Sequence, residues 1–266
     1  MGIVNVTPDS FSDGGRHDRP GAAVAHARTL IAEGADVVDV GGESSRPGAA
    51  AVDVDTELAR VLPVIEALAG SLALGDGPPV RISVDTAKPD VARAAVAAGA
   101  SLVNDITASL APVAAETGAG WIAMHMRGEP RTMQHRPRYD DVVAEVLDHL
   151  RGRAEAAEAL GVREVWIDPG IGFGKTAGHN WTLLAALDRF VGAGWPVAVG
   201  TSRKAFLGAL TAAADGAAEP APTDDRLEAS VATALHAARC GARLVRVHDV
   251  AATVAALDAA GFGAAA

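Results

Sequence analysis

The stretch RISVDTAKPDVARAAVAAGASLVN, residues 81–104, contains the pattern that decides the fold. It opens on an apolar run, Arg81–Val84, continues as an alanine-rich stretch, Pro89–Ala98, and returns to an apolar run at Ser101–Asn104. The apolar runs are nearly continuous rather than alternating, which is typical of parallel strands that are covered on both faces. Gly99 between them is a usual helix stop. The stretch therefore predicts a strand–helix–strand unit of a parallel sheet.

Similar units recur along the whole chain. We predict strands at Gly2–Val6, Asp36–Val40, Arg81–Val84, Ser101–Asn104, Trp121–Met124, Val165–Ile167, Pro196–Val199 and Leu244–Val247. We predict helices at Gly21–Glu33, Thr56–Ala69, Pro89–Ala98, Asp140–Leu160, Leu183–Val191 and Leu227–Arg239. Glycines are expected to end several of these helices, at Gly34, Gly70, Gly99, Gly161 and Gly241. The alanine- and proline-rich stretch Ala212–Thr223 is expected to be a surface insertion.

Eight strands, each followed by a helical stretch, are typical of an α/β fold of the (β/α)₈ TIM barrel type, here a single domain over residues 1–266. An open, doubly wound parallel sheet is the alternative. It is the weaker hypothesis because no G-x-G-x-x-G motif follows the first strand. In a barrel, functional residues lie at the carboxyl ends of the strands and in the loops that follow them.

Composition and charge exclude several classes of protein. Hydrophobic residues make up 49% of the 266 residues, which is enough for a large core and too many for a disordered chain. The single cysteine, Cys240, excludes a disulfide framework and a thiolate zinc cluster. A net charge of −10 disfavours nucleic acid as a partner. No apolar run reaches the roughly 20 residues that span a bilayer, and no secretory signal is found, so we expect a cytoplasmic protein without a membrane partner.

Polar side chains follow the predicted strands at one rim of the barrel. Asp39, Asp85, Asn104 and Asp168 end the second, third, fourth and sixth strands. Any one of them taken alone is more often the N-cap of the next helix, but polar groups follow every strand. Carboxylates accept hydrogen bonds, and an amide both accepts and donates them. This set therefore suits a flat heterocycle that is rich in N–H groups.

Basic side chains lie on the same rim, namely Arg46, Arg203, Lys204, Arg246 and His248. Such cations suit a diphosphate or polyphosphate and a carboxylate. Asn5, at the end of the first strand, offers an oxygen ligand to Mg²⁺, which usually binds through phosphates and waters with few protein ligands. The sequence therefore predicts a heterocycle pocket beside a phosphate pocket. It contains no Ser-His-Asp order, no HExxH motif and no cysteine nucleophile, which counts against hydrolases.

Motifs at these strand ends resemble the signatures of the dihydropteroate synthase family, in the same order along the chain. They are NVTPDSFSDGG at 5–15, DVGGESSRPG at 39–48, DPGIGFGK at 168–175, SRK at 202–204 and RVHD at 246–249. The resemblance runs from the first predicted strand to the last. Position 45 is Ser where many members of the family have Thr, so the hydroxyl is retained. Ala205 follows Lys204 where some members have Ser, which leaves only backbone N–H groups at that position.

The resemblance implies a transferase of folate biosynthesis whose members are targets of sulfonamides. The family joins 4-aminobenzoate to 6-hydroxymethyl-7,8-dihydropterin diphosphate and releases diphosphate and 7,8-dihydropteroate. Diphosphate is thought to leave first, and the amine then attacks the exocyclic methylene carbon. The family uses Mg²⁺ and tends to form homodimers, so we expect both of this protein. The loops after the first two strands are expected to close over bound substrate.

The resemblance also implies roles for individual residues. The expected pterin-binding residues are Asp39, Asp85, Asn104, Asp168, Phe173, Lys204 and Arg246. The expected diphosphate-binding residues are Asn5, which would also bind Mg²⁺, Arg46, Arg246 and His248. The expected aminobenzoate-binding residues are Phe11, Ser45, Pro47 and Lys204. Catalysis is expected to depend on Lys204, Arg246, His248 and Arg46.

Two other functions fit parts of the same pattern. One is a pterin-binding homologue that has lost synthase activity, which should show erosion of the phosphate and aminobenzoate residues. Arg46, Lys204 and His248 are all present, which argues against such a loss. The other is a methyltransferase that uses methyltetrahydrofolate on a related barrel. It would share the acidic ring but would not need the cations for diphosphate.

Overall fold

The structure, a computed structural model, describes residues 1–7, 19–44, 48–72 and 80–263. Eight parallel strands run through these residues. They are β1 Gly2–Asn5, β2 Val37–Gly41, β3 Arg81–Asp85, β4 Leu102–Asp105, β5 Gly120–Met124, β6 Val165–Asp168, β7 Ala198–Gly200 and β8 Leu244–Arg246. Each predicted strand is confirmed to within two residues at each end. All of β2 and β5 is buried, as expected of strands covered on both faces.

The strands close into a barrel. Consecutive strands pair in parallel from β1 to β6, and β7 pairs with β8. Single bridges, Ile167 with Val197 and Gly2 with Val247, join the two groups on both sides. At the second bridge, the amide of Ile3 donates to the carbonyl of Val247 at 3.1 Å. The TIM barrel is therefore confirmed, and the open doubly wound sheet, which would leave two free edges, is wrong.

Helices follow the strands around the outside of the barrel. They are α1 Arg19–Ala32, α2 Val54–Leu72, α3 Pro89–Ala97, α4 Ala111–Thr117, α5 Val142–Ala159, α6 Ala177–Ala185, α7 Leu187–Val191, α8 Ala205–Asp215, α9 Leu227–Arg239 and α10 Val250–Ala259. Their apolar faces and the outer faces of the strands form the main core. None of the helices in the described ranges is long and apolar enough to cross a membrane.

Three predictions about the helices are wrong. Gly70 does not end α2, which continues to Leu72. The helix predicted at Leu183–Val191 is two helices, because α6 begins at Ala177 and α7 begins anew at Leu187. Thr176 caps α6 through a reciprocal pair of hydrogen bonds with His179.

The third error concerns the predicted surface insertion, Ala212–Thr223. Its first residues are the last turn of α8, which runs to Asp215. Gly216 then ends this helix in the left-handed conformation, with a φ of +69°. The alanines of this stretch favour a helix, and the proline signal applies only to the residues after Gly216.

Alternation along the strands divides the barrel interior into layers. A small apolar cluster of Met1, Val37, Leu102, Ile122 and Ala198 fills the lower part, with Trp166 and Leu244 packed against it. Side chains two residues apart in a strand point to the same face. The next inward layer towards the carboxyl ends therefore consists of Asp39, Asn104, Met124, Gly200, Asp168 and Arg246. An apolar layer thus supports a polar one.

Asp105, a polar residue at the end of β4, has a structural role. Asp105 follows Asn104 and is fully buried on the outer face of β4. Its Oδ2 accepts hydrogen bonds from the amides of Ser109 at 2.6 Å and Leu110 at 2.7 Å, and from the indole of Trp121 at 3.1 Å. Its Oδ1 accepts from the amide of Thr107 at 2.9 Å. The carboxylate therefore joins β4, β5 and the start of α4.

We expect Asp105→Asn to lower the free energy of unfolding by about 3 kcal/mol, because an amide nitrogen would face buried donors in place of a carboxylate oxygen. The matched control is Asp90→Asn, on a side chain that is 74% exposed and forms a surface ion pair with Arg93, where a change below about 0.5 kcal/mol is expected. Urea denaturation followed by circular dichroism measures both. Equal stability of the two variants would show that Asp105 has no special structural role.

Candidate active site

The polar layer of the barrel interior forms a hydrogen-bonded group at the carboxyl ends of the strands. Asp39 in β2 is fully buried. Its Oδ2 accepts from Nδ2 of Asn104 at 3.0 Å and from Nε of Arg246 at 2.6 Å. Nη2 of Arg246 also donates to Oδ2 of Asp85 at 2.8 Å. Four of the predicted pterin residues, drawn from β2, β3, β4 and β8, are therefore brought together.

Arg246 bridges two carboxylates with a single positive charge. Its side chain is 24% exposed, whereas those of Asp39 and Asp85 are 0% and 13% exposed. Burial raises the pKa of Asp85 to about 7, and the guanidinium of Arg246 opposes this rise only in part. Arg246 itself has a raised pKa despite its burial, because the two carboxylates favour its charged form. The group therefore holds an excess of acceptors over donors when no ligand is present.

A second part of the layer lies across the barrel on β6 and the loop after β7. Asp168 is buried, and its Oδ1 accepts from the amide of Gly170 at 2.7 Å. Lys204 donates from Nζ to the backbone carbonyl of Ile171, and Nζ lies 4.3 Å from the centre of the Phe173 ring. Burial raises the pKa of Asp168 and lowers the pKa of Lys204 to about 8. The charge of Lys204 lowers the pKa of Asp168, and the charge of Asp168 raises the pKa of Lys204, so each opposes the effect of burial on the other. The two groups are therefore close enough to interact.

His248 and Ser202 connect the loops after β7 and β8. Nδ1 of His248 lies 3.0 Å from Oγ of Ser202, and the His248 amide donates to the same oxygen at 3.2 Å. His248 lies two residues beyond Arg246, at the same end of the barrel. The predicted diphosphate residue is therefore held next to the acidic group by a neighbouring hydroxyl.

Arg203 does not serve as the free substrate cation that its position in the SRK motif predicts. Its Nε and Nη2 bind the carboxylate of Asp249 at 3.1 and 2.5 Å. Its backbone has a φ of +60°, with the amide donating to Ser230 and the carbonyl accepting from Arg226. Arg203 therefore holds the loop before Lys204 against the loop after β8. The partner lies 46 residues away, which the local sequence does not indicate.

A cavity at one side of this layer is large enough for a bicyclic ligand. A cavity of about 560 Å³ lies beside Asp85 and is lined also by Glu43, Thr86, Ile106 and Met126. Ligand pockets for molecules of this kind typically measure about 300–1,000 Å³. The cavity lies among the loops after β2, β3, β4 and β5, so it opens towards the carboxyl ends of the strands.

Asn5 fits a metal site that is completed by the substrate. It ends β1 at the same rim, and its side chain is partly exposed. No group of three or more His, Cys, Asp or Glu side chains suited to a metal ion exists in the ranges that the structure describes. A single amide oxygen is sufficient where Mg²⁺ takes its remaining ligands from phosphates and water.

Several predicted residues lie outside the described residues: Phe11, Ser45, Arg46 and Pro47, together with most of the two loops expected to close. Two further residues near the site, Lys175 and His125, have no role predicted from the sequence. Lys175 is only 2% exposed and contacts His125 across the strand ends. The signal available in the sequence was that a lysine closes the motif that begins at Asp168.

Comparisons with known proteins show the family of the chain. A family model described as pterin binding enzyme matches residues 1–248. The dihydropteroate synthase of Mycobacterium leprae is 46% identical over 269 residues, which cover 98% of this chain and 92% of the relative. A solved structure of Xanthomonas albilineans dihydropteroate synthase with 4-aminobenzoic acid has a TM-score of 0.88 and 50% identity, covering 98% of this chain and 91% of that one.

A second structure of the Xanthomonas albilineans enzyme, in complex with 7,8-dihydropteroate, has a TM-score of 0.84 and 47% identity over the same shares of the two chains. The match therefore extends over nearly the full length of the chain, in sequence and in fold. It includes every strand that contributes to the polar layer. The chain belongs to the pterin binding enzyme family.

Proposed function

We propose that the protein is a dihydropteroate synthase, a transferase of folate biosynthesis. It joins 4-aminobenzoate to 6-hydroxymethyl-7,8-dihydropterin diphosphate and forms 7,8-dihydropteroate and diphosphate. The observation that carries this proposal is the polar layer of Asp85, Asn104 and Asp168, flanked by Lys204 and Arg246, in one barrel mouth. Relatives that bear the synthase name are nearly half identical to this chain over almost its whole length.

The pterin ring would lie on the acidic and amide side chains. Asp85, Asn104 and Asp168 accept hydrogen bonds from ring and amino N–H groups, and Lys204 and Asn104 donate to ring acceptors. Asp39 is fully buried beneath Arg246 and Asn104, so its contribution is to orient these two side chains. The ring of Phe173, next to Nζ of Lys204, offers an apolar face.

The diphosphate would lie on the cationic side of the pocket. Arg246 and His248 face the rim, and Arg46 would add a third donor. Asn5 would hold Mg²⁺ against the phosphate oxygens, where the ion would neutralise charge on the leaving group. Arg246 contacts the carboxylates that would lie under the pterin, so it would connect the two halves of the substrate.

The chemistry needs no covalent nucleophile. The bond between the methylene carbon and the diphosphate oxygen breaks, and the cations take up the charge on the departing diphosphate. The carboxylates around the ring stabilise the positive charge that develops on the pterin. The amine of 4-aminobenzoate then forms the new C–N bond and loses a proton. Preorganised charges of this kind usually supply the largest part of catalysis.

The aminobenzoate would lie between the first two loops and Lys204, in contact with Phe11, Ser45 and Pro47. Its carboxylate would face the N-terminus of α8, which begins at Ala205. Lys204 is the N-cap of this helix and makes no side-chain cap hydrogen bond, so first-turn N–H groups are left for an anion.

The proposal extends to assembly and compartment. We propose a homodimer, supported by large apolar side chains that are exposed on three late helices, namely Trp181, Leu210 and Leu227. Sedimentation velocity measures the oligomeric state directly.

We also propose that residues 1–266 form one domain and that the protein acts in the cytoplasm, in keeping with a chain whose one cysteine cannot form an internal disulfide.

The direct test of the activity is incubation with the pterin diphosphate, 4-aminobenzoate and Mg²⁺, followed by chromatography for dihydropteroate. We expect Lys204→Ala and Arg246→Ala to lower turnover by about 100-fold or more, because each removes a charge that stabilises the reacting groups. The control is Arg243→Ala, at an exposed position just before β8, which should react at the wild-type rate. A wild-type protein that forms no dihydropteroate would refute the synthase.

Asp168→Asn should weaken pterin binding by about 10- to 100-fold, because a hydrogen bond to a buried carboxylate contributes about 1.5–3 kcal/mol. Calorimetric titration with the pterin diphosphate, without aminobenzoate, measures this affinity. An unchanged dissociation constant would contradict the role assigned to Asp168.

Asp85→Asn should make the protein more stable at pH 8 but not at pH 4. Folding raises the pKa of Asp85 from 3.8 to about 7, so between these pH values the folded state binds more protons than the unfolded state. The free energy of unfolding therefore falls as the pH rises through this window, and the variant escapes this loss. We expect a gain of roughly 2 kcal/mol at pH 8, with weakened pterin binding.

Urea denaturation at the two pH values measures this gain, with Asp90→Asn as the exposed control. A stability difference between wild type and Asp85→Asn that does not change with pH would show that folding does not shift the pKa of Asp85.

A further inference from the structure

Lys175 is a buried lysine to which the proposed reaction assigns no step. It lies on the loop between β6 and α6, at the end of the motif that begins with Asp168. Its side chain is nearly inaccessible, with the residue 2% exposed. No carboxylate lies within ion-pair distance of its Nζ in the portion of the chain described. A buried lysine without a paired carboxylate is uncommon, so its neighbours must explain it.

The side-chain nitrogen of Lys175 lies at the centre of the loop after β6. Nζ is 2.9 Å from Nδ1 of His125 and 2.9 Å from the carbonyl oxygen of Gly170. The carbonyl oxygens of Phe173 and His125 lie at 3.1 and 3.2 Å. A lysine nitrogen has at most three N–H donors, and four acceptors surround this one, so these groups use its whole donor capacity. Lys175 therefore fixes the loop to itself and to the end of β5.

The backbone of the loop requires this close approach. Gly170 and Gly174 have φ values of +63° and +62°. A Cβ atom at Gly170 would collide with the carbonyl oxygen of His125, and one at Gly174 would collide with that of Arg127. The loop therefore lies directly against the segment after β5, with its carbonyl groups turned towards Lys175.

The same loop supplies three contacts to the proposed pterin pocket. The amide of Gly170 donates to Asp168 at 2.7 Å and so orients this carboxylate. The carbonyl of Ile171 accepts from Lys204. The ring of Phe173 lies 4.3 Å from the Lys204 ammonium. These three contacts come from positions between Asp168 and Lys175.

We propose that Lys175 is a positioning residue that acts on the pterin pocket through Asp168, the Ile171 carbonyl and Phe173. This proposal rests on the proposed function, since the pocket that it serves is the pterin pocket. Lys175 itself would not contact substrate, because its nitrogen is enclosed by the loop. Its loss should therefore weaken pterin binding by letting the loop rearrange.

His125 supports this role because it can accept from Lys175. Its Nδ1 is an acceptor only when the ring is neutral with its proton on Nε2. Burial holds the pKa of His125 at about 2, so the ring stays neutral over the range in which proteins are folded. Burial also lowers the pKa of Lys175 well below its ordinary value, so the lysine rather than the His125 ring sets any pH dependence of this contact.

The test compares Lys175→Met with wild type in the full chain. Methionine keeps the length and volume of the side chain but has no donor. We expect the KM for 6-hydroxymethyl-7,8-dihydropterin diphosphate to rise about tenfold or more, with a smaller change in kcat. Lys175→Gln restores two donors on a shorter side chain, so it should recover part of the affinity, and it serves as the test variant if Lys175→Met does not fold.

The matched control is Arg81→Gln, which breaks the ion pair with Glu164 at the opposite end of the barrel. It should lower the melting temperature without changing the KM. A folded Lys175 variant with the wild-type KM would overturn the proposal, as would an equal rise of KM in the Arg81→Gln control. A wild-type protein that makes no dihydropteroate refutes the proposed function instead, so the two failures are distinguishable.

Discussion

The site depends on one guanidinium that bridges two buried carboxylates. Arg246 donates to Asp39 and Asp85, which lie on the neighbouring strands β2 and β3. Asp39 also accepts from Asn104. Burial is the main reason that the pKa of Asp85 is raised, and the charge of Asp39 adds to the rise, while the one guanidinium opposes it only in part. The arrangement is costly for an empty pocket and favourable once N–H groups of a ligand reach the carboxylates.

The barrel makes this arrangement possible because an apolar layer of its interior supports the polar layer that forms the site. Apolar side chains such as Val37, Leu102 and Leu244 form the lower layer, and polar ones lie two residues further along the same strands. The loops then hold the remaining groups: Lys175 organises the loop after β6, and Arg203 joins the loops after β7 and β8. These three loops are fixed by buried or bidentate contacts, so the binding groups that they carry are oriented before substrate arrives.

Much of this could be predicted from the sequence. Continuous apolar runs located the strands, and polar residues at their ends located the rim, because parallel strands end on one side of a barrel. What could not be predicted depends on partners far apart in the chain. The pairing of Arg203 with Asp249 spans 46 residues and that of Lys175 with His125 spans 50. Likewise, only the structure distinguishes Asp105, which binds the backbone just before α4, from its neighbour Asn104, which belongs to the polar layer.

The most direct measurement of the central claim is a crystal structure of the protein with 6-hydroxymethyl-7,8-dihydropterin diphosphate in the absence of 4-aminobenzoate. The account predicts ring N–H groups within hydrogen-bonding distance of Asp85, Asn104 and Asp168. The diphosphate should extend from the ring past Arg246 towards His248. A pterin ring bound away from these residues, without contact to the group formed by Arg246, Asp39 and Asp85, would contradict the account.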